Sequence, residues 1–379
     1  MAIFRKFTKA LTLISNILVV FLFLLSCLNA YLPTGRWIFI SLLGLFFPLF
    51  LLLVIGFLIF WLFFHSRKYA FISLLGLILG WKSIHAFFAF DIHKRFITEK
   101  SSNSIRILTW NVHGWDEFTT RKFGASGHRP LMMDFIKSQN ADILCFQEFF
   151  EPKKMKGTSS NIFYICHEMN FPYYYFSPDY TRMDGLYEFG VAIFSKYPIM
   201  DSLRIKYNET EPRRAPESLI AADLNINGKP VRIFTTHLQS VLFHSKDFRN
   251  VEIIKNVDDS VLEASKSVIK KLRTAYSRRR IQAEMVRDQL DKSPNPVIIC
   301  GDFNDVPNSY TYFHIKGSLQ DAFIRKGFGI GRTYVNISPT LRIDYILTHR
   351  QFNILQCAKF AVPYSDHHPV IADFEIDGR

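Results

Sequence analysis

The sequence predicts an α/β domain carried behind an apolar helical region at the amino terminus. Long stretches of the first hundred residues contain no charge. From Ile105 onward, short runs of β-branched and aromatic residues alternate with polar loops, and two stretches carry helical periodicity. At 379 residues the chain exceeds one usual domain, so two regions are expected.

Leu11 to Ala30 is twenty residues without a charge, and Trp37 to Phe64 is twenty-eight. Each meets the roughly 20 residues needed to cross about 30 Å of hydrocarbon. A third stretch, Tyr69 to Phe90, is apolar except for Lys82 and His85. It reads as a third span with the Lys82 ammonium reaching toward an interface, or as an interfacial helix. The expected organisation is therefore a membrane region over 1–98 with spans at 11–30, 37–64 and 69–90, a linker over 99–104, and a catalytic domain over 105–379. Arg5, Lys6 and Lys9 ahead of the first run also resemble a signal peptide. The length of that run and the two segments behind it favour a retained span.

Lys/Arg asymmetry sets the expected orientation. The terminus holds three, the first loop only Arg36, and the second loop Arg67 and Lys68, which places the terminus and second loop in the cytoplasm. Three spans then put the catalytic domain on the non-cytoplasmic side of a multi-pass integral membrane protein, although Lys94, Arg95 and Lys100 argue the other way. Residues 1–100 hold ten Lys/Arg against two Asp/Glu, and 101–379 hold 36 against 31, so most of the net +13 flanks the apolar segments. A dedicated polyanion-binding surface on the globular part is only weakly suggested. Five scattered cysteines without a CxxC pair exclude a disulfide framework, and Cys145 and Cys300 read as small buried hydrophobes.

In the second region, strands are expected at Ile105–Trp110, Ile143–Gln147, Gly190–Ser195, Leu219–Ile226, Val231–His237, Val297–Cys300, Ile343–Thr348 and Val370–Phe374. Asn227-Gly228 marks a hairpin between two of them. Helices are expected over Pro130–Ser138 and from about Asn250 to Leu290. Several strands end in polar residues that packing does not explain: Asn111, Glu148, His237, and the pair Asp302 and Asn304. Asp344 lies within a strand, and Asp366-His367-His368 precedes the last one. Neighbouring strands that end at one sheet edge bring such groups together, and α/β sheets place ligand sites there.

Hydrolysis of a phosphate ester needs negative charge neutralised, a water deprotonated and a leaving oxygen stabilised. Carboxylate and amide oxygens suit a hard cation, and imidazole suits proton transfer. The cluster has no thiolate, and the chain has no HExxH, P-loop or GxSxG motif.

TWNVHGW at 109–115, FQEF at 146–149, TTHLQS at 235–240, GDFND at 301–305, RIDYIL at 342–347 and SDHHPV at 365–370 occur in that order. Together they resemble the endonuclease/exonuclease/phosphatase (deoxyribonuclease-I-like) superfamily across residues 104–376. The resemblance implies a four-layer α/β sandwich, two facing mixed sheets with helices outside, and a divalent-metal-dependent phosphoesterase using Mg²⁺ or Mn²⁺. It implies Asn111, Glu148 and Asp366 on the metal, with Glu148 the main carboxylate. It also implies catalytic roles for His237, Asp302, Asn304, Asp344 and His367. In that scheme His367 is the general base, Asp344 fixes its tautomer, Asp302 and Asn304 orient water and phosphate, and His237 binds a phosphoryl oxygen. The His in THLQ, where abasic-site repair members carry Asn, disfavours a repair role. His113, where those members carry Asp, is left open, with packing or support behind the ligands preferred over ligation.

The expected partners are the lipid bilayer, through the N-terminal helices, and a phosphate-ester substrate, either a phospholipid headgroup or nucleic acid; no protein partner is predicted. Gln239 reads equally as a substrate contact or loop polarity. Arg278-Arg279-Arg280 reads as a solvated helix face, and Phe171 to Phe176 as core and strand packing. The alternative is a catalytically silent binding or signalling module, whose signature would be loss of Glu148, Asp302 or His367. All three are present.

Overall fold

A computed structural model describes residues 2–33, 35–63, 67–92, 96–117, 127–155, 157–207, 218–241 and 261–376. Lys94, Arg95 and the expected helical start near 250 lie outside these. The chain divides into two compact units. One comprises 1–87, 241–281 and 306–314; the other comprises 88–240, 282–305 and 315–379.

In the first unit, the helix Ala2–Cys27 runs on through a 3₁₀ turn at Leu28–Ala30. Over Phe4–Ala30 it is long and apolar enough to cross a bilayer. The other two apolar runs, expected as continuous, are each broken. Ile38–Leu45 meets Phe47–Phe63 at 64°, and Arg67–Leu79 meets Trp81–Phe87 at 64°. The first break follows from Pro48, which has no N–H to donate and whose ring excludes the carbonyl four residues back, that of Gly44. That carbonyl accepts instead from Asn308 Nδ2 at 3.3 Å. The second break falls at Gly80, where an added Cβ would stand 2.5 Å from the Phe23 ring. Ser73 Oγ donates to Asn16 Oδ1 at 2.9 Å, a buried polar contact between apolar helices. The Lys82 ammonium lies 4.1 Å from the Tyr31 ring centroid and 4.5 Å from that of Phe313, so cation–π contacts hold it.

The second unit is an α/β sandwich. Its strands in chain order are β1 (Ala89–Phe90), β2 (Ser104–Asn111), β3 (Ile143–Pro152), β4 (Tyr173–Arg182), β5 (Tyr187–Ser195), β6 (Ile199–Lys206), β7 (Ser218–Ile226), β8 (Lys229–His237), β9 (Val297–Asp302), β10 (Gln320–Asp321), β11 (Phe328–Gly329), β12 (Asp344–Thr348), β13 (Phe352–Lys359) and β14 (Val370–Ile376). Two six-stranded mixed sheets form, in the orders β13-β14-β2-β3-β5-β4 and β10-β12-β9-β8-β7-β6, and β1 pairs with β11. β2–β3 and β8–β9 are parallel; the other neighbours in both sheets are antiparallel.

Alternation along each strand decides which residues lie between the sheets. Ile105, Ile107, Ile143, Cys145, Ile233, Ile298, Cys300 and Ile346 fill that layer. Leu108, Trp110, Leu144 and Phe146 face the other way, into a cluster with Met132, Met133 and Ile136 of the helix Arg129–Ser138. Gln147 spans the inner layer, donating from Nε2 to Thr235 Oγ1 at 2.8 Å and to Thr109 Oγ1 at 3.2 Å, and so ties one sheet to the other. Asn227 (φ 52°) and Gly228 (φ 84°) make the expected β7–β8 turn, both in the left-handed region that such a turn requires. Arg106 makes a buried bidentate pair with Asp373 across β2–β14, at 2.7 and 2.8 Å. Its Nη1 donates to the carbonyls of Thr98 and Gln139, and Nη2 donates also to that of Ile97, which fastens the entering chain to the sheet.

Candidate active site

The parity that buries the inner layer also carries polar side chains to its end. Asn111 follows Ile107 and Thr109 on β2, and His237 follows Ile233 and Thr235 on β8. Asp302 follows Ile298 and Cys300 on β9, and Asp344 precedes Ile346 on β12. The register places His237 beside Asp302 and Asp302 beside Asp344. Asn111 closes the gap to the facing sheet: its Nδ2 lies 3.2 Å from Asp302 Oδ2 and 3.2 Å from Glu148 Oε1.

Glu148 arrives by a different route. Plain alternation on β3 would send it outward with Leu144 and Phe146. The β3–β5 register shifts between Phe146 and Phe149, and Glu148 has φ 50°. This bulge turns its carboxylate back toward the site. Its Oε1 is 4.0 Å from His237 Nε2, which is itself 3.7 Å from Asp302 Oδ2.

The loop before β14 supplies the rest. His367 Nδ1 lies 3.0 and 3.2 Å from the two Asp344 oxygens, and its Nε2 lies 3.6 Å from Asp302 Oδ2. Three contacts hold this ring. Trp110 Nε1 donates to the His367 carbonyl at 2.8 Å, Ser365 Oγ donates to the Asn111 carbonyl at 2.9 Å, and the Tyr334 ring packs 4.9 Å from the imidazole. Asn304 (φ 51°) turns the chain after β9; its N–H donates to Asp302 Oδ1 at 2.8 Å and its Nδ2 to the Leu238 carbonyl at 2.9 Å. Asp366 Oδ1 sits 3.6 Å from His113 Nδ1, which is also 3.5 Å from Glu148 Oε2. All eight residues expected at the site thus converge, and His113 joins them.

His113 reaches its place through an unusual backbone. Residues 113 to 116 all have positive φ, of 46°, 58°, 55° and 55°. A left-handed turn costs about 1–2 kcal/mol for each residue other than glycine. Trp115 anchors it, fully buried edge-on against Phe146 and Phe149. Strain that packing holds in place collects at functional sites.

The charges are tightly coupled. Burial and the neighbouring Asp344 raise the Asp302 carboxyl to about 6, against the opposing pull of His367 and His237. Burial would lower the His367 imidazole, but Asp344 and Asp302 outweigh it and raise the ring well above its ordinary value. Burial likewise opposes charge on Glu148 and His113. Their mutual hydrogen bond and the surrounding opposite charges prevail, holding the Glu148 carboxyl well below the usual range and taking His113 to about 9.

Residues 108–367 match the Endonuclease/Exonuclease/phosphatase family. The chain belongs to that family. Among solved structures, an endonuclease/exonuclease/phosphatase from Beutenbergia cavernae DSM 12333 is similar at 18% identity and TM-score 0.52, over 73% of this chain and 72% of that one. A family member from Bacteroides vulgatus is similar at 18% identity and TM-score 0.49, over 72% of this chain and 99% of that one. The human Nocturnin catalytic domain is similar at 17% identity and TM-score 0.49, over 73% of this chain and 95% of that one. No curated protein matches the chain. Residues 8–87 match a domain of unknown function, DUF8431.

The donor set of this Endonuclease/Exonuclease/phosphatase family member fits a hard divalent cation. Carboxylates of Glu148 and Asp366 are oxygen donors of the right kind, and the raised Asp302 carboxyl marks negative charge in need of compensation, whereas the Asn111 amide here turns Nδ2 to Glu148 and Asp302 while its Oδ1 accepts from the His113 N–H. Among the described residues, the group whose ligand atoms lie within 4.8 Å of one another is a different one, the buried Asp302, Asp344 and His367, and not Asn111, Glu148 and Asp366. Tyr334 and Ser365 were not foreseen. Ser365 lies inside the SDHHPV motif and was readable as a loop clamp, whereas nothing in the sequence connects Tyr334 with a histidine 33 residues away.

Proposed function

We propose that the chain is a membrane-anchored, divalent-metal-dependent hydrolase of phosphate esters. The observation that carries this reading is the Asp344–His367 pair, with its outer nitrogen turned toward Asp302. Asn111, Glu148 and Asp366 would hold Mg²⁺ or Mn²⁺, which would supply an offset to carboxylate charge and polarisation of a phosphoryl oxygen. Asp344 keeps a proton of His367 on Nδ1, and Nε2 is free to accept a proton from water once a bound cation offsets the carboxylate charge that raises this ring. Asp302 and Asn304 orient that water and the phosphate. His237 donates to a phosphoryl oxygen as charge develops there. The departing oxygen leaves on the face opposite the attacking water and takes its proton from solvent.

In the same reading, 1–98 is the membrane region, with each bent helix pair acting as one span, 99–104 is the linker and 105–379 the catalytic domain. The Lys/Arg asymmetry puts that domain on the non-cytoplasmic side. Tethering suits a phospholipid headgroup or nucleic acid close to the bilayer. The test uses the full chain in detergent micelles with plasmid DNA, sphingomyelin, phosphoinositides and a bis(nitrophenyl) phosphate. Cleavage of at least one, silenced by EDTA and restored by Mg²⁺ or Mn²⁺, is expected. Turnover that survives EDTA, or no turnover of any phosphate ester, overturns the reading.

A further inference from the structure

We infer that His113 is a positioning residue for the cation site, fixing the orientation of Glu148 and Asp366 from the side facing solvent. The inference rests on the proposed function, since it concerns the two carboxylates assigned there to the metal.

The geometry separates the two oxygens of Glu148. Oε1 faces Asn111 at 3.2 Å, and Oε2 faces His113 Nδ1 at 3.5 Å. The same Nδ1 lies 3.6 Å from Asp366 Oδ1, so one ring atom addresses a carboxylate from β3 and one from the loop before β14. These side chains are 30% and 25% exposed, unlike Asp302 at 1%. Burial alone therefore does not fix their rotamers, and a carboxylate that must be ordered on binding gives up affinity. Ligating carboxylates are ordinarily held in turn by hydrogen-bonding neighbours. His113 Nδ1 is the group that addresses Glu148 Oε2.

The backbone of the same segment also reaches Asn111. The His113 N–H donates to Asn111 Oδ1 at 3.1 Å, which turns the Asn111 amide so that Nδ2 meets Glu148 and Asp302. The left-handed turn over 113–116 is held by Trp115, which has no exposed surface. A single short segment thus orients Asn111 through its backbone and both carboxylates through one ring.

The test is binding of Mn²⁺ alone, read by loss of the free-ion electron paramagnetic resonance signal, to the full chain in detergent. His113→Ala and His113→Asn are expected to raise the dissociation constant about 10–100-fold, as loss of a group supporting a metal ligand does. Asn tolerates the left-handed backbone but is too short to reach both carboxylates. His113→Gln, a longer donor, recovers part of the affinity. Cation-free melting temperatures of the Asn and Gln variants stay at the wild-type value, and the Asn variant carries the test if Ala does not fold. Mn²⁺ binding by the Asn variant as tight as wild type, or tighter, overturns the inference. A wild-type chain that binds no Mn²⁺ removes the proposed function itself, and this inference with it.

Discussion

At the scale of single residues, the site depends on which atom of each side chain faces which neighbour. His367 presents Nδ1 to Asp344 and Nε2 toward Asp302. Replacing His367 with Ala removes the proposed proton acceptor, so kcat is expected to fall about 10²–10⁴-fold with the fold retained. Asp344→Asn is expected to lower kcat with little change in KM, because the ring loses its orienting acceptor while phosphate contacts persist. Steady-state kinetics beside a thermal melt checks both, and undiminished turnover by His367→Ala would remove its role as base. The residue types and their positions at strand ends were legible in the sequence. The direction of Glu148 was not, because alternation points it outward and a bulge reverses it. His113 was only half legible: the Gly114-Trp115 that follows hints at a turn, but its left-handed course depends on Trp115 finding a pocket between two phenylalanines.

At the scale of elements, legibility followed position in the sheet. Interior strands are long apolar runs and were foreseen. The strands without a counterpart in the sequence reading include β4, β6 and β13, each at the edge of a sheet. Edge strands face solvent along much of their length; β6 has no fully buried residue, so its alternation carries little apolar signal. The bends at Pro48 and Gly80 were masked by the opposite effect, since uniform apolarity hides a break in direction. The parallel β8–β9 pair sets the spacing of His237 and Asp302, and Gly301 sets the spacing of that pair. Its φ is 139°, and a Cβ there would stand 2.1 Å from the Thr236 carbonyl oxygen. Gly301→Ala is therefore expected to cost about 1–3 kcal/mol in backbone strain and about as much again in overpacking. Strand separation would also displace Asp302 from Asn111, so both melting temperature and activity should fall. A Gly301→Ala chain with wild-type melting behaviour would show that β8 and β9 do not approach as closely as described.

At the scale of the whole molecule, the proposed membrane attachment has two physical modes open to it, and they answer differently to salt. Residues 1–100 carry a balance of +8, which alone would draw the chain to anionic lipid. The helix Phe4–Ala30 offers instead a segment able to cross the hydrocarbon. Adsorption by charge weakens as the Debye length shrinks to about 3 Å at 1 M salt. Burial of an apolar helix is insensitive to that screening, and unsatisfied backbone groups are avoided because the helix satisfies its own. The full chain is therefore expected to stay with the membrane pellet through 1 M salt and through alkaline carbonate, and to enter solution only with detergent. Quantitative immunoblotting of pellet and supernatant after each wash measures this. Release by salt would assign the attachment to the basic flanks and remove the anchor. Release by carbonate alone would place the apolar helices on the bilayer surface rather than through it, and the bent pairs at 38–63 and 67–87 would then be interfacial elements instead of spans.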